Sequence, residues 1–405
     1  MTPATKQAPG APLRVLHVIG GVGPGGAETL MYRLVTRPSL VRHEVICMGD
    51  EDWYSEPLRA HGITVHYLKV RSVSTGLRAV RRLWRLIRKI DADVVQGWMY
   101  RSNLLGSLGA RMAGKPSVWS IHCASLEPLS RSARIWVYAS GAVARWVPDF
   151  VVNCSRRSAT MHAGLGFDRA RGAVIPNGYA TEAFKPDPEA RKRVRGSLGI
   201  GEDEFLIGAV SRWHPEKDIP NLLDALDTVR DRGTPVRCLL VGHELTPENA
   251  LLTQAIAERG LEQIALPLGR RADVAAIMSA LDVHVLPSRS EAFPNVVGEA
   301  MLCATPCIVT DVGDAAYMVG ETGWTAPPQA PGALADRIVE ARGLWEADDQ
   351  AWNARREAAR VRIADNFSLQ QMAAGYEAVW RSVASQAPQT SARQPVTDDG
   401  PSKDR

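Results

Sequence analysis

The feature that most strongly constrains the fold of this chain is an apolar strand that leads through a polar turn into a helix. Residues 281–286, L-D-V-H-V-L, have the short apolar pattern of a buried strand. The turn P-S-R-S-E-A-F follows, and a helix begins near Pro294 or Asn295. Glu291 lies on the turn and Glu299 lies eight positions later in the helix. This segment predicts a strand, a turn and a helix that together present two carboxylates.

The start of this helix suits an anion that is flanked by hydroxyl groups. The peptide N–H groups around Phe293 to Val296 have no partner inside the helix, and together with the helix dipole they attract a phosphate. One glutamate can accept hydrogen bonds from sugar hydroxyls and the other from a ribose diol. The segment therefore predicts a nucleotide-sugar site. The alternative is ordinary capping chemistry at a helix start, which would explain Glu291 without a ligand.

Composition indicates an ordinary globular protein of two domains. The 405 residues exceed the usual length of one domain, and 45% apolar with 23% charged residues is typical of soluble chains. The six scattered cysteines form no C-x-x-C pair and predict reduced core thiols rather than disulfides or a metal centre. No run approaches the roughly 18–20 apolar residues of a membrane span, and the first residues lack the apolar core of a signal peptide.

Charge divides the chain into two unlike halves. Residues 1–180 contain 24 Lys or Arg and 11 Asp or Glu, a balance of +13, whereas residues 181–405 contain 24 and 33, a balance of −9. Segment 74–90 predicts a helix with a basic face, which is either a solvated surface or a contact with anionic lipid. Nothing resembles a nucleic-acid-binding module. The basic residues of segment 74–90 are Arg78, Arg81, Arg82, Arg85, Arg88 and Lys89.

Two strand ends in the first half carry candidate binding residues. A predicted strand over 14–20 leads into a glycine-rich loop with Gly25 and Gly26. The spacing of these glycines does not fit a dinucleotide fingerprint, and a simple strand–helix turn is the alternative. His122 stands at the carboxyl end of a further strand, where open α/β sheets bind ligands. A structural histidine is the alternative at this position.

The second half carries cations that suit a diphosphate. Arg212 and Lys217 lie five positions apart in a loop before a helix. An arginine can bind phosphate oxygens with a bidentate fork, and a lysine acts as a compact charge. Arg270 lies on a turn before another short helix.

Taken together, these motifs resemble the retaining glycosyltransferases of family 4, which have the GT-B fold. The resemblance rests on the G-G-A-E loop at 25–28, the I-P-N-G segment at 175–178, the R-x4-K pair and the E-x7-E stretch S-R-S-E-A-F-P-N-V-V-G-E-A-M. Ala292 and Asp314 stand where the family commonly has glycine. The family's G-x-G turn is replaced by G-H-E at 242–244.

Strands that alternate with helices in both halves predict two doubly wound α/β domains. The resemblance implies a GT-B arrangement, in which two Rossmann-like domains face each other across a cleft and the last helix crosses back. We expect residues 13–180 to bind the acceptor, residues 181–367 to bind the nucleotide sugar and residues 368–385 to form the crossover helix. Composition predicts disordered tails over 1–12 and 386–405.

The implied activity is transfer of a hexose from a nucleotide diphosphate sugar, with retention of anomeric configuration, in cell-surface polysaccharide biosynthesis. A UDP-sugar is favoured over GDP-mannose, and the acceptor is lipid-linked or a saccharide. No cofactor, metal ion or nucleic acid is expected. We expect a cytoplasmic protein, with peripheral contact at the inner face of the membrane as a further expectation. The alternatives are a nucleotide-sugar epimerase on the same fold and a non-catalytic nucleotide-sugar-binding scaffold.

The resemblance also implies roles for single residues. The catalytic set is Arg212, Lys217, Glu291 and His122. The donor-binding set is Gly25, Gly26, Arg212, Lys217, Arg270, Phe293, Pro294, Asn295, Val296 and Glu299.

Overall fold

A computed structural model describes residues 12–70, 73–126, 130–167 and 171–386, and for residues 73–77 it describes the backbone alone. The predicted tails lie outside the described residues except for Pro12 and Gln386. All six cysteines are free and five of them are buried, which confirms the predicted core thiols. Within the described ranges, no helix is both long enough and apolar enough to cross a membrane.

The first half of the chain forms a sheet of seven parallel strands, because short apolar runs alternate with helices. The strands are β1 (Arg14–Ile19), β2 (Arg42–Cys47), β3 (Thr64–Tyr67), β4 (Val94–Trp98), β5 (Ser117–Ile121), β6 (Phe150–Asn153) and β7 (Gly172–Val174). Their order across the sheet is β3-β2-β1-β4-β5-β6-β7, so the order reverses between β1 and β4.

Helices cover both faces of this sheet. The helices of the first half are α1 (Gly26–Thr36), α2 (Ser55–Ala60), α3 (Val73–Ile90), α4 (Tyr100–Met112), α5 (Arg131–Val143) and α6 (Arg156–Ala163). Alternate residues of β1 point to opposite faces. Leu16 and Val18 pack in a core cluster with α3 and α4, whereas Val15 and Ile19 pack with α1. Tyr100 and Val137 place α4 and α5 in a further cluster with β5 and β6.

The second half forms a six-stranded parallel sheet of the same kind. Its strands are β8 (Leu206–Val210), β9 (Arg237–Val241), β10 (Ala265–Gly269), β11 (Val283–Leu286), β12 (Cys307–Thr310) and β13 (Trp324–Ala326), in the order β10-β9-β8-β11-β12-β13. The order reverses between β8 and β11. In the described part of the second half, the helices are α7 (Pro188–Ser197), α8 (Ile219–Asp231), α9 (Ala250–Ala257), α10 (Val274–Ala280), α11 (Asn295–Leu302), α12 (Ala315–Val319), α13 (Pro331–Ala347), α14 (Asp349–Asn366) and α15 (Leu369–Gln386).

The last helix, α15, returns to the first sheet. Met372, Tyr376 and Trp380 recur at helical spacing and are buried in the cluster that contains β1 and α1. The indole Nε1 of Trp380 donates a hydrogen bond to Oε1 of Gln96 on β4, at 2.9 Å. The first domain is therefore completed by the end of the chain.

The two chain crossings between the domains lie side by side. The N–H of Tyr179 donates to the carbonyl of Phe367 at 2.9 Å, and the N–H of Leu369 donates to the carbonyl of Tyr179 at 3.0 Å. A Cβ at Gly178 would lie 2.7 Å from the Cα of Leu369, so only glycine allows the crossings to approach this closely.

The prediction of two doubly wound α/β domains is confirmed, and α15 crosses back as expected. The predicted domain boundaries stay a prediction. Because ligands of open α/β sheets bind where the strand order reverses, the loops that follow β1 and β11 are the places to search for a site.

Candidate active site

A cavity of about 460 Å³ lies between the domains, at the carboxyl ends of strands from both sheets. The turn before α1 and the end of β5 line it from the first domain. The turns after β8 and β11 and the start of α11 line it from the second. Every predicted site residue except Arg270 contributes to its wall: Gly25, Gly26, His122, Arg212, Lys217, Glu291, Phe293, Pro294, Asn295, Val296 and Glu299.

The lysine and the first glutamate of the predicted set form an ion pair in the cavity wall. Nζ of Lys217 lies 2.6 Å from Oε1 of Glu291, and Oγ of Ser288 donates to the same carboxylate oxygen at 2.8 Å. Both charged side chains are largely buried. Lys217 ends a single 3₁₀ turn because Asp218 adopts a left-handed conformation, with φ 48°. The ammonium group is therefore fixed before any ligand binds.

Arg212 is the more available cation. Its side chain is 58% exposed, and its nearest carboxylate is Glu216, at 3.8 Å from Nη2. At this distance and exposure the pair is weak. Arg212 therefore keeps the freedom to turn towards an anion in the cavity, whereas Lys217 is held in place.

The start of α11 offers free backbone donors to the cavity. Pro294 precedes the helix, and no side chain caps its first turn. Asn295 and Val296 line the cavity at this end. A Cβ at Gly298 would overlap the ring of Tyr179, so the glycine lets the helix pack against the segment that connects the domains. An uncapped helix N-terminus in a cavity wall suits a phosphate group.

The second glutamate is paired across the cleft with a residue that the sequence analysis did not identify. Oε1 of Glu299 lies 2.7 Å from Nη2 of Arg33 on α1, and both side chains are largely buried. Arg33 lies in the last turn of α1. A single arginine on a helix carries no motif, so no sequence signal marked it.

His122 forms part of the floor of the cavity. Its imidazole stacks on the ring of Trp98, with 5.3 Å between the centroids. Burial lowers the pKa of His122 to about 4, and the side chain of Asn177 opposes that shift. The imidazole is therefore neutral at physiological pH and stands in the cavity wall as an uncharged group.

Asn177, from the I-P-N-G segment, ties the connection between the domains to the start of α11. Its Nδ2 donates to Oδ1 of Asn295 at 3.0 Å and to the carbonyl of Phe293 at 3.3 Å. The sequence analysis treated this segment as a turn at a domain boundary. The structure adds a polar side chain that reaches into the cavity.

Asp314, the aspartate in place of the family's glycine, makes a second contact across the cleft. Its Oδ2 accepts from the backbone N–H of Arg156 at 2.8 Å, and its Oδ1 accepts from the N–H of Arg157 at 3.2 Å. A carboxylate at the start of α6 satisfies donors that the helix leaves free and complements its dipole. This departure from the family pattern therefore fastens the second domain to the first.

The remaining predicted residues differ in their placement. The carboxylate of Glu28 folds back over Gly25, and a Cβ at Gly25 would overlap it, which explains the glycine in structural terms. Burial raises the pKa of Glu28. Arg270 is exposed on the turn after β10 and does not line the cavity. Contact between Arg270 and a nucleotide stays a prediction.

The arrangement can bind a diphosphate that carries a sugar and a nucleoside. One fixed cation, one mobile cation and a helix N-terminus meet where phosphate oxygens would lie, and two carboxylates flank them. The part of the chain that the structure describes contains no group of three or more His, Cys, Asp or Glu side chains that could hold a metal ion.

Two family models match the chain, one for each domain. Residues 24–183 match the model described as Glycosyltransferase Family 4. Residues 204–342 match the model described as Glycosyl transferases group 1. The matched ranges contain all the residues that line the cavity.

Similar proteins are known in bacteria. A 2-deoxystreptamine glucosyltransferase of Streptomyces kanamyceticus is 28% identical over 324 residues, which cover 74% of this chain and 82% of that protein. The UDP-Gal:alpha-D-GlcNAc-diphosphoundecaprenol alpha-1,3-galactosyltransferase of Escherichia coli is 27% identical over 251 residues, which cover 60% and 63% of the two chains. The match to the second enzyme thus spans less than two thirds of its length.

A solved structure has the same architecture. The crystal structure of Anabaena HepE in complex with UDP and glucose superposes with a TM-score of 0.78 and 25% sequence identity. The superposition covers 91% of this chain and 100% of HepE.

Proposed function

The chain belongs to the glycosyltransferases with the two-domain GT-B fold, and from this premise we propose that it transfers a hexose from a UDP-sugar to a lipid-linked acceptor with retention of configuration. GDP-mannose is the second donor in order of expectation. The observation that carries the proposal is the cavity in which Lys217, Arg212 and the start of α11 surround space for a diphosphate. The HepE complex with UDP and glucose supports uridine as the base.

In the proposed reaction, the bond between the anomeric carbon and the diphosphate oxygen breaks while the acceptor oxygen bonds to the same carbon. The leaving phosphate oxygen takes the proton of the acceptor hydroxyl. Lys217, Arg212 and the N–H groups at the start of α11 stabilise the negative charge that develops on the diphosphate. Because these groups supply the positive charge, we propose that the reaction needs no metal ion.

The state of the two carboxylates limits how retention would come about, whereas retention itself is implied by the resemblance to family 4. Glu291 is paired with Lys217 and Glu299 with Arg33, so neither stands free as the nucleophile of a double displacement. We propose that Glu291 accepts a hydrogen bond from a sugar hydroxyl and that Glu299 accepts hydrogen bonds from the ribose diol. The acceptor then attacks from the face that the diphosphate leaves.

Product analysis tests this function. The purified protein is incubated without metal with UDP-glucose or UDP-galactose and a polyprenyl-diphosphate-linked N-acetylglucosamine, and the product is examined by NMR. We expect UDP release, consumption of the acceptor and an α-linked product. A β-linked product would contradict retention. A changed donor sugar with no acceptor consumed would show an epimerase, and UDP binding without turnover would support a scaffold.

The proposed lipid-linked acceptor is supported by the helices on the outer side of the first sheet, which is the face opposite α1 and α15. The sequences of α3, α4 and α5 contain no Asp or Glu. The same helices contain six, two and two basic residues: Arg78, Arg81, Arg82, Arg85, Arg88 and Lys89; Arg101 and Arg111; Arg131 and Arg134. A face of one charge sign attracts anionic lipid headgroups.

Exposed apolar side chains accompany these cations. Met112, Ile135, Tyr138 and Trp146 are each more than half exposed, at 57%, 67%, 56% and 68%. Nη1 of Arg111 donates to the carbonyl of Trp146 at 3.1 Å, so the end of α4 and the turn after α5 are adjacent. Cations together with exposed aromatic and aliphatic groups suit peripheral binding at a membrane interface. The galactosyltransferase of Escherichia coli, which is named for a diphosphoundecaprenol substrate, supports the same class of acceptor.

Vesicle binding tests the membrane contact. Sedimentation with vesicles of phosphatidylcholine alone and of phosphatidylcholine with phosphatidylglycerol should show binding to the anionic vesicles only. Arg81→Glu with Arg85→Glu should weaken this binding more than about tenfold, because each basic residue contributes roughly 1 kcal/mol near the surface. Lys192→Glu with Arg193→Glu, which reverses two exposed charges on α7, is the matched control and should change nothing. Equal weakening by both pairs would contradict the assigned face.

A further inference from the structure

A series of polar contacts connects the crossover helix to the cavity. The hydroxyl of Tyr376 on α15 lies 2.5 Å from Oγ of Ser120 on β5. The same Oγ lies 3.2 Å from Nε2 of His122. Nδ1 of His122 and Oδ1 of Asn177 are both buried, and within the described ranges neither has a hydrogen-bond partner at ordinary geometry. Asn177 opposes the lowering of the His122 pKa that burial causes, as an amide oxygen close to the imidazole would.

The direction of these hydrogen bonds follows from one backbone group. The carbonyl of Phe293 can only accept, so the atom of Asn177 that lies 3.3 Å away is its amide nitrogen. The other amide atom of Asn177, the oxygen, is therefore the one available to His122. An amide oxygen can only accept, so it favours a proton on Nδ1 of His122. A neutral imidazole that is protonated at Nδ1 has an acceptor at Nε2.

The other end of the series agrees with this assignment. With Nε2 as an acceptor, Ser120 donates to His122, and the free lone pair of Ser120 accepts from Tyr376. In the reverse direction the buried hydroxyl proton of Tyr376 would have no acceptor among the described residues. A buried donor without a partner is costly, so the reverse direction is disfavoured at both ends.

We propose that Tyr376, Ser120 and Asn177 are positioning residues that hold His122 in the tautomer protonated at Nδ1. The hydrogen bonds run from the crossover helix through Ser120 to Nε2 of His122, and a separate bond runs from Asn177 to the carbonyl of Phe293 beside α11. The chain's last helix thereby fixes a group in the floor of the cavity that lies between the two domains.

This arrangement has a consequence for the donor site. His122 is neutral, is held at Nε2 by Ser120 and is stacked on Trp98, so it acts as a rigid wall rather than as a general base. Asn177, which lines the same cavity, supports Phe293 and Asn295 at the uncapped start of α11. The consequence for a bound diphosphate rests on the proposed function, whereas the tautomer of His122 does not.

The tautomer is measured directly in the unliganded protein. The full-length chain is labelled with ¹⁵N-histidine, and long-range ¹H–¹⁵N spectra are recorded at neutral pH. The signals of His122, one of nine histidines, are assigned by their loss in His122→Gln. We expect a protonated nitrogen at Nδ1 and an unprotonated nitrogen at Nε2. A protonated Nε2, or averaging between the two forms, would overturn the proposal whether or not a nucleotide binds.

Two variants of α15 then test the positioning role. Tyr376→Phe removes one hydroxyl, and we expect the affinity for UDP to fall about tenfold, the factor for one lost hydrogen bond between buried groups. Trp380→Phe is the matched control, because it removes the buried hydrogen bond to Gln96 from the same helix. We expect Trp380→Phe to lower the melting temperature and to leave the UDP affinity unchanged. Equal losses of affinity in both variants would reduce Tyr376 to a structural residue.

A wild-type protein that fails to bind UDP would count against the proposed donor alone. The NMR result would still decide the tautomer of His122 in that case.

Discussion

The helices on the outer side of the first sheet carry basic residues and no acidic ones, whereas the second half of the chain has an excess of acidic residues. The two sheets nevertheless have the same parallel, doubly wound construction. In the second domain, single residues such as Lys217 and Glu291 are fixed around the proposed diphosphate position. In the first domain, the corresponding feature is the basic surface formed by α3, α4 and α5. The same architecture thus supports a specific small-molecule site in one half and a broad electrostatic contact in the other.

The domains also differ in their buried histidines. We expect the largest difference between the domains in how much stability each loses at low pH. Burial lowers the pKa of His43, His122 and His162 in the first domain to about 4, whereas the described part of the second domain has one such group, His284, at about 3. Because the folded pKa lies below the unfolded value, the unfolded chain takes up protons first. Each buried neutral histidine therefore contributes to the free energy of unfolding in full above pH 6.5. This contribution, about 3 kcal/mol per histidine, is lost as the pH falls towards 4.

Hydrogen exchange checks this expectation. Between pH 7 and pH 5, β4 and β5 should lose protection before β8 and β11. Earlier loss in the second domain would break the comparison between the two halves.

Removal of the fixed cation should have the next largest effect. Lys217→Ala should lower kcat/KM for sugar transfer by a factor of about 100 to 1,000, because a charge that acts on the leaving diphosphate is lost. Lys192→Ala removes an exposed lysine of the same domain, paired with Glu189 on α7, and is the control. Similar losses in both variants would mean that the net charge of the second domain, and not the cavity, governs the rate.

The ion pair between Arg33 and Glu299 tests whether the first domain contributes to the donor site. Arg33→Gln should lower the affinity for UDP about tenfold, because the largely buried carboxylate loses the group that orients it. Arg37→Gln removes another arginine beside α1, one that pairs with Glu377 on α15, and should leave UDP binding unchanged. Isothermal titration measures both. Tighter binding by Arg33→Gln would show instead that Arg33 competes with the ligand for Glu299.

The smallest expected effect concerns Asp314. Asp314→Ala should cost about 1 kcal/mol of stability, the usual loss when a helix N-terminal cap is removed. It should also speed hydrogen exchange at the amides of Arg156 and Arg157, because these N–H groups donate hydrogen bonds to the Asp314 carboxylate. Asp311→Ala, which removes an exposed carboxylate 3.7 Å from Arg157, is the control. Unchanged exchange at both amides would contradict the cap across the cleft.

The second domain's contribution to the site could be predicted because its residues lie in short, ordered motifs. Glu291 and Glu299 follow one strand, and the R-x4-K pair follows another, so the parallel sheet brings them to one edge. Alternating apolar runs predicted the two α/β domains for the same reason. These inferences need only the local pattern and the rule that carboxyl ends of parallel strands meet.

The contacts across the cleft could not be predicted in this way. Arg33, Tyr376 and the partners of Asp314 depend on how the two domains and the last helix are placed together, and no local pattern encodes that placement. Asp314 did attract notice as a departure from the family pattern, but its partner on α6 could be found only in the structure. Arg270 shows the opposite case, since the resemblance implied a contact with a nucleotide and the residue does not line the cavity.

The central claim is that the cavity between the domains binds a nucleoside diphosphate without a metal ion. The most direct measurement is the melting temperature of the purified protein with UDP, GDP or ADP in the presence of EDTA. A nucleotide at 100 times its dissociation constant should add about 2.7 kcal/mol of stability. We predict that UDP raises the melting temperature of the wild type and not that of Lys217→Ala. No shift with any nucleotide, or an equal shift in Lys217→Ala, would contradict the claim.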